Sequence, residues 1–257
     1  MAITNVAQTL SSKPPRRLGA GPTRLAWVLG GASGAAALLA GPAYRLHWLP
    51  LGTGLQTMRW AAIVALVGAA AALLGLVLLW RSGARRGVGA AAAALLLNGL
   101  VAGPPLAMYQ RVQSLPHIHD VSTDPTDPPA FVAVVPLRQG ARNGLDYPPA
   151  TAAAQRRGYS DIAPLVIALQ PPQAFERVEQ AARAMGWDIV ADSPQDLRLE
   201  ATDTSLLFGF KDDVVVRVRP HARGSVVDVR SLSRVGGSDF GVNAKRVRAF
   251  LQRLAPA

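Results

Sequence analysis

The sequence predicts an N-terminal α-helical transmembrane region of three helices, followed by a C-terminal α+β domain that is mainly an antiparallel sheet with helices on one face. Three long apolar stretches lie within the first 109 residues, and every acidic residue lies after them. The remainder has runs of adjacent strand patterns bounded by helical patterns. It lacks the alternating strand and helix series that is typical of a parallel sheet.

The charges are distributed very unevenly along the chain. Residues 1–109 contain nine Lys and Arg and no Asp or Glu, whereas all 16 acidic residues and the other 18 basic residues follow. The net charge of +11 therefore belongs mostly to the apolar part. A nucleic-acid-binding protein would concentrate this excess on its folded domain, so we exclude nucleic acid as a partner. The absence of cysteine excludes disulfides, thiolate metal sites and cysteine nucleophiles.

The three apolar stretches are each long enough to cross a bilayer, which requires about 20 helical residues. We predict spans over residues 25–44, 60–80 and 87–109. Asn98 lies within the third span, where a polar side chain needs a partner, and we expect it to form an interhelical hydrogen bond. A signal peptide cleaved after Ala40 is the alternative for the first span. We favour retention because its apolar run is longer than the usual signal.

The basic residues that flank the spans predict their direction, because cytoplasmic loops are enriched in Lys and Arg. With the N-terminus inside, seven basic residues are cytoplasmic and three are on the other side. This predicts a cytoplasmic segment over residues 1–24, the transmembrane region over 25–109, and an extracytoplasmic domain over 110–257. We expect an integral protein of a bacterial inner membrane.

The C-terminal domain shows its elements through turn residues and apolar periodicity. The proline-rich residues 117–129 predict an ordered loop or extended linker, and the β-branched run 131–137 a buried strand. Helices are predicted over 149–157, from 171 to about 185, and after Asp239. Further strands are predicted at 165–168, 188–191, 196–202, 206–210, 213–219 and 225–234. The alternation in 213–219 indicates one buried face, and a turn at 221–224 would place Arg217 opposite Asp228.

The first polar cluster follows the third span and includes His117, His119, Asp120, Asp124 and Asp127. Histidines at i and i+2 on an extended segment project to one side, and nearby carboxylates could complete a site for a divalent ion. The alternative is a loop whose Asp and Thr side chains bind the backbone, as turn residues do. We favour the loop because the spacing matches no zinc signature.

The second polar cluster surrounds the start of the last helix and includes Arg230, Arg234, Asp239 and Asn243. Its arginines could hold a carboxylate or phosphate, helped by the helix N-terminus. The commoner use of such residues is in ion pairs and a helix cap. If the first cluster folds over this hairpin, Asp120 or Asp124 pairs with Arg230 or Arg234. One arginine would then remain free for an anion.

Several motifs resemble the domain of unknown function 1499 family over roughly residues 115–254. They comprise residues 119–124 (HDVSTD), 159–162 (YSDI), 212–217 (DDVVVR) and 228–236 (DVRSLSRVG), with Asp239, Gly241 and Asn243. The resemblance implies no activity. It implies that these positions are shared within that family, which favours the two clusters forming one pocket.

We predict a non-catalytic protein whose partners are the lipid bilayer and either an anionic small ligand or an envelope protein. The residues predicted to bind the ligand are His119, Asp120, Asp124, Arg230, Arg234, Asp239 and Asn243. The alternative is a membrane-anchored hydrolase or metalloenzyme that uses His119, Asp120 and Asp124. No nucleotide fingerprint or nucleophile triad is present, and the sequence identifies no cofactor.

Overall fold

The computed structural model describes residues 18–255, which divide into two compact units. The first contains most of three long helices: α1 (Ala20–Arg45), α2 (Leu51–Arg81) and α3 (Val88–Val112). Each is long and apolar enough to cross a membrane, which confirms the three predicted apolar helices. Lys13, Arg16 and Arg17, which count toward the predicted orientation, lie outside the described residues.

Small residues let the three helices approach closely around Asn98. The side chains of Ala26, Ala72 and Ala94 form a buried cluster between α1, α2 and α3. Asn98 Nδ2 donates to the Ala26 carbonyl of α1 at 3.0 Å, which confirms the interhelical hydrogen bond. A Cβ at Gly68 would lie 2.1 Å from Asn98 Oδ1, and one at Gly30 2.8 Å from Nδ2. Both glycines are therefore needed to make room for the asparagine.

The second unit contains an antiparallel sheet with helices, as predicted, and the sheet has six strands. Its strands are β1 (Asp120–Ser122), β2 (Leu165–Ile167), β3 (Asp188–Ser193), β4 (Arg198–Thr204), β5 (Lys211–His221) and β6 (Gly224–Ser233). Its helices are α4 (Pro149–Gly158), α5 (Pro171–Ala184) and α6 (Val242–Leu254). The strand order is β1-β6-β5-β4-β3, and β2 pairs with β6 beside β1. The central hairpin places Arg217 opposite Asp228, as expected.

One face of the sheet packs on α5 and α6, and we call it the helix-covered face. Alternate valines of the central hairpin point to this side and are buried: Val214, Val216, Val218, Val227 and Val229. Trp187 and Phe250 stack in the same core with ring centroids 4.9 Å apart. This is the apolar face that the alternating sequence pattern predicted.

The opposite face is covered by the irregular residues 123–148, which we call the cover segment. Val215 and Leu232 point to this side and pack with Phe131 and Val134 of the cover segment. The sheet is therefore buried on both faces at its centre, whereas the sequence predicted one buried face. The predicted strand 131–137 is wrong, because Val132 and Val134 donate their N–H groups to the Glu200 carboxylate and not to a neighbouring strand. A 3-10 turn over Val135–Arg138 follows.

The predicted strand 206–210 is also wrong, because these residues form the turn between β4 and β5. Two of them, Phe208 and Phe210, pack against Tyr44, which belongs to the same compact unit. Phe208 and Phe210 stack with centroids 5.0 Å apart, and the Tyr44 ring lies 6.1 and 5.7 Å from them. The segment has a sequence pattern that is typical of a strand because its phenylalanines are needed for packing with a ring outside the sheet.

Candidate functional site

Most of the buried charges of the C-terminal unit lie beneath the cover segment. Side chains alternate between the two faces of a strand, so Asp120, Asp213, Asp228 and Arg230 all point to that face. All four are at most 4% exposed. A buried charge is tolerated only when it is paired and hydrogen-bonded. The partners of these groups therefore determine what the site can do.

Arg230 binds the carboxylate of Asp120 through two nitrogens. Its Nη2 donates to Asp120 Oδ2 at 2.7 Å, and its Nε donates to Oδ1 at 3.1 Å. The same guanidinium donates to the Leu145 carbonyl at 2.6 Å and lies over the rings of Phe131 and Tyr147. Burial raises the pKa of Asp120, and the Arg230 hydrogen bonds and charge oppose that rise. The pair fastens the cover segment to the sheet, and Arg230 is only 4% exposed.

Two arginines share the carboxylate of Asp213, which is fully buried. Arg138 of the cover segment donates to one oxygen, and Arg234 donates to both, with Nη2 at 2.7 Å from Oδ1. Thr202 donates its hydroxyl to the same carboxylate at 2.8 Å. One negative charge thus faces two positive charges. Of the two guanidinium groups, that of Arg234 is the more accessible, because its side chain is 13% exposed against 5% for Arg138.

Arg234 lines a groove of about 230 Å³ at the margin of this face. Its other lining residues are Leu137, Asp188, Val190, Thr202 and Lys211. Lys211 and Asp188 are both exposed, so their opposite charges balance at the rim. The groove therefore keeps the one positive charge that Asp213 does not neutralise. The Arg234 guanidinium and the Lys211 ammonium group together suit a small oxyanion.

Asp228 is held by Arg217 and Arg219 at the other end of the cover segment. Its Oδ2 accepts from Arg217 Nη2 at 3.2 Å and from Arg219 Nε at 3.0 Å. Arg219 also reaches Asp124, which the sequence offered as a partner for Arg230 or Arg234. Partial burial opposes ionisation of Asp124, but two backbone N–H groups and both arginines outweigh it and lower its pKa. The two arginines at this end therefore face three carboxylates, those of Asp124, Asp127 and Asp228.

His119, Asp239 and Asn243 lie on the helix-covered side of the sheet. Asn243 accepts from the Ser231 hydroxyl at 2.8 Å and donates to the His119 carbonyl at 2.9 Å. The Asp239 carboxylate accepts the backbone N–H groups of Gly241 and Asn243 at the start of α6. Burial raises the pKa of Asp239, and these two hydrogen bonds oppose the rise. The three residues thus join α6 to the sheet edge.

A family model described as protein of unknown function (DUF1499) matches residues 120–254, which is more than half of the chain. This protein belongs to the DUF1499 family. The match begins at β1 and ends at the last residue of α6, so it covers the sheet, the cover segment and all three helices of the DUF1499 domain. No curated protein and no solved structure matches the chain.

The seven residues predicted as one site divide between the two faces of the DUF1499 sheet. Asp120, Asp124, Arg230 and Arg234 lie beneath the cover segment, and His119, Asp239 and Asn243 lie on the opposite side. The predicted docking of the first cluster onto the hairpin is present in the Asp120–Arg230 pair. The single shared pocket is not formed, because neighbouring residues of β1 and β6 point to opposite faces.

The residues proposed for a metalloenzyme are likewise separated in the DUF1499 domain. His119 Nδ1 lies 3.5 Å from the Gly237 carbonyl oxygen, whereas Asp120 binds Arg230. Over residues 18–255, no three His, Asp or Glu side chains are grouped so that they could hold a metal ion.

Three residues were not singled out as site residues from the sequence: Lys211, which lines the groove, and Arg138 and Asp213, which form ion pairs beside it. Arg138 follows an apolar run that resembled a strand, so its charge gave no indication of a partner 75 residues away. The sequence feature that could have indicated a buried ion pair on each face of the sheet is the pair of adjacent carboxylates Asp212 and Asp213, which point to opposite faces.

Proposed function

We propose that this DUF1499 protein is held in a bacterial inner membrane by α1, α2 and α3, and that its extracytoplasmic domain binds an oxyanion at Arg234 without catalysing a reaction. The anion is a small carboxylate or phosphate compound, or such a group on an envelope protein. The observation that carries the proposal is the sharing of Asp213 by Arg138 and Arg234. It leaves one cationic charge in excess beside an open groove.

The membrane part of the proposal rests on the lengths and hydropathies of the three helices. Retention of α1 is supported by the hydrogen bond from Asn98 of α3 to Ala26 of α1. The orientation rests on the excess of basic residues at one end of the helices. The hydrolase or metalloenzyme alternative has less support, because Asp120 is occupied by Arg230 and His119 faces the other side of the sheet.

The test is the binding of inorganic phosphate and of citrate to the full chain in detergent, measured by isothermal titration calorimetry. Arg234 is unsuitable as the first variant because it also holds Asp213. Lys211 is exposed and lines the groove, so Lys211→Glu should weaken binding about tenfold or more, since a hydrogen bond to a charged group contributes about 1.5–3 kcal/mol.

Lys245→Glu is the matched control, because it makes the same change in net charge. Lys245 is also exposed, but it lies on α6 and not in the groove. This variant should leave the affinity unchanged. Equal affinities for the wild type and Lys211→Glu, or equal losses in both variants, would show that the groove is not the anion site.

A further inference from the structure

A second cationic cavity lies in the three-helix unit, where α1 and α3 begin and α2 ends. Its volume is about 620 Å³. The lining includes Arg24 of α1 together with Arg85 and Arg86 of the turn that precedes α3. Trp27, Leu79 and Ala90 also line the cavity. A cavity of this size is within the range of ligand sites, which is about 300–1,000 Å³.

The positive charge of this cavity is not compensated by its own unit. Residues 1–109 contain no Asp or Glu, so no carboxylate of the helices or their connections can pair with the three arginines. Guanidinium groups prefer oxyanions of planar or tetrahedral geometry, such as phosphate. An anion that enters from outside the protein is therefore the natural counterion.

The apolar residues of the lining indicate that the ligand also has an apolar part. Trp27 Nε1 donates to the Ala90 carbonyl at 3.1 Å, which fixes the indole between α1 and α3. Trp27 and Leu79 line the cavity together with the three arginines. Tryptophan and arginine together are typical of the headgroup level of a bilayer, and basic pockets between transmembrane helices bind anionic headgroups.

We propose that this cavity is a binding site for one anionic phospholipid, whose phosphate lies among Arg24, Arg85 and Arg86 and whose acyl chain follows Trp27 and Leu79. The site is separate from the groove at Arg234. The cavity binds a phosphate group only when that group carries an acyl chain, so a free phosphate ion does not occupy the cavity stably.

Native mass spectrometry of the full chain, released from detergent with added lipid, tests this proposal. Phosphatidylglycerol should be retained at one molecule per chain, and phosphatidylcholine should not. Arg85→Gln with Arg86→Gln should weaken retention about fivefold for each arginine removed. The matched control is Arg59→Gln with Arg111→Gln, which removes the same charge from exposed residues outside the cavity lining and should change nothing.

A cavity-filling variant separates a defined site from general attraction to positive charge. Ala90→Phe keeps every arginine but fills the cavity, whereas Ala93→Phe adds the same ring at an exposed position outside the lining. Ala90→Phe should abolish retention of phosphatidylglycerol, and Ala93→Phe should preserve it. Retention by Ala90→Phe, or displacement of the lipid by inorganic phosphate alone, would overturn the proposal.

Discussion

Asp120 and Arg230 form a buried ion pair between segments that are 110 residues apart in the chain. Their side chains are 3% and 4% exposed, and the guanidinium also binds carbonyl groups of the cover segment. Such a pair contributes less through its own attraction than through the penalty that follows when one partner is removed. Its role is to fix one position of the cover segment on the sheet.

We therefore predict that Arg230→Ala and Asp120→Ala each destabilise the domain by about 3–5 kcal/mol, with the double variant far less destabilised than the sum. Unfolding in denaturant can be followed through Trp187, the one tryptophan after residue 80. Arg248 and Asp161 form an exposed pair, with side chains 38% and 58% accessible, and serve as the control. Their alanine variants should cost about 0–1 kcal/mol. Small, additive effects at both pairs would contradict the prediction.

Asp124 should give the fold a measurable acid dependence. Its pKa is lower in the folded protein than the usual value of 3.8, so its ionised form stabilises the folded state above that value. The contribution is lost as the pH falls through the lowered pKa. The difference in unfolding free energy between the wild type and Asp124→Asn should therefore be constant from pH 7 to about 5 and disappear in acid. A difference that grows on acidification would be inconsistent with the assigned contacts.

At the scale of elements, the sequence predicted those segments that pack through regular periodicity. Helix α5 and the β5–β6 hairpin follow from apolar residues at spacings of about four and two, and both were located correctly. Residues 131–137 and 206–210 were misassigned because Phe131, Val134 and Phe208 are buried by tertiary contacts without regular hydrogen bonding. Composition alone does not distinguish a buried loop from a buried strand.

The candidate site was partly predictable for the same reason. The pairing of Arg217 with Asp228 follows from hairpin register, and the Asp120–Arg230 contact was one of the pairings considered. The sharing of Asp213 was not predictable, because it depends on where a 3-10 turn places Arg138. The position of an irregular segment is set by the groups it satisfies, and these become visible only in three dimensions.

The packing of the three helices leads to a prediction about Gly68. A methyl group there would overlap Asn98, so Gly68→Ala should destabilise the helical unit by about 1–3 kcal/mol. Gly99→Ala is the control, because a Cβ at Gly99 meets nothing within 4 Å. Thermal unfolding in detergent, followed by circular dichroism, can compare the two variants. Equal stabilities would mean that α2 and α3 do not approach as closely as described.

At the scale of the whole molecule, the number of membrane-crossing helices determines which segments lie on the same side of the membrane. If α1, α2 and α3 all cross, the end of α1 and the DUF1499 domain lie on the same side. The basic residues predict that this side is outside the cytoplasm. A reporter active only outside the cytoplasm should work after Ala257 and fail at Ser82. The reverse pattern would overturn the orientation and, with it, the proposed extracytoplasmic ligand.

The packing of Tyr44 against Phe208 and Phe210 has a consequence for dividing the protein. The compact unit that holds the DUF1499 domain includes Gly41–Leu49, so in the sequence it consists of two separate pieces. A fragment from Gln113 to Ala257 keeps the whole sheet but leaves the two phenylalanines without their cover, and it should self-associate through them. A synthetic peptide of residues 41–49 should restore the monomer by complementation, and the same peptide with Tyr44→Ala should bind the fragment more weakly. The sequence-based boundary at residue 110 would then cut through a folding unit rather than between two.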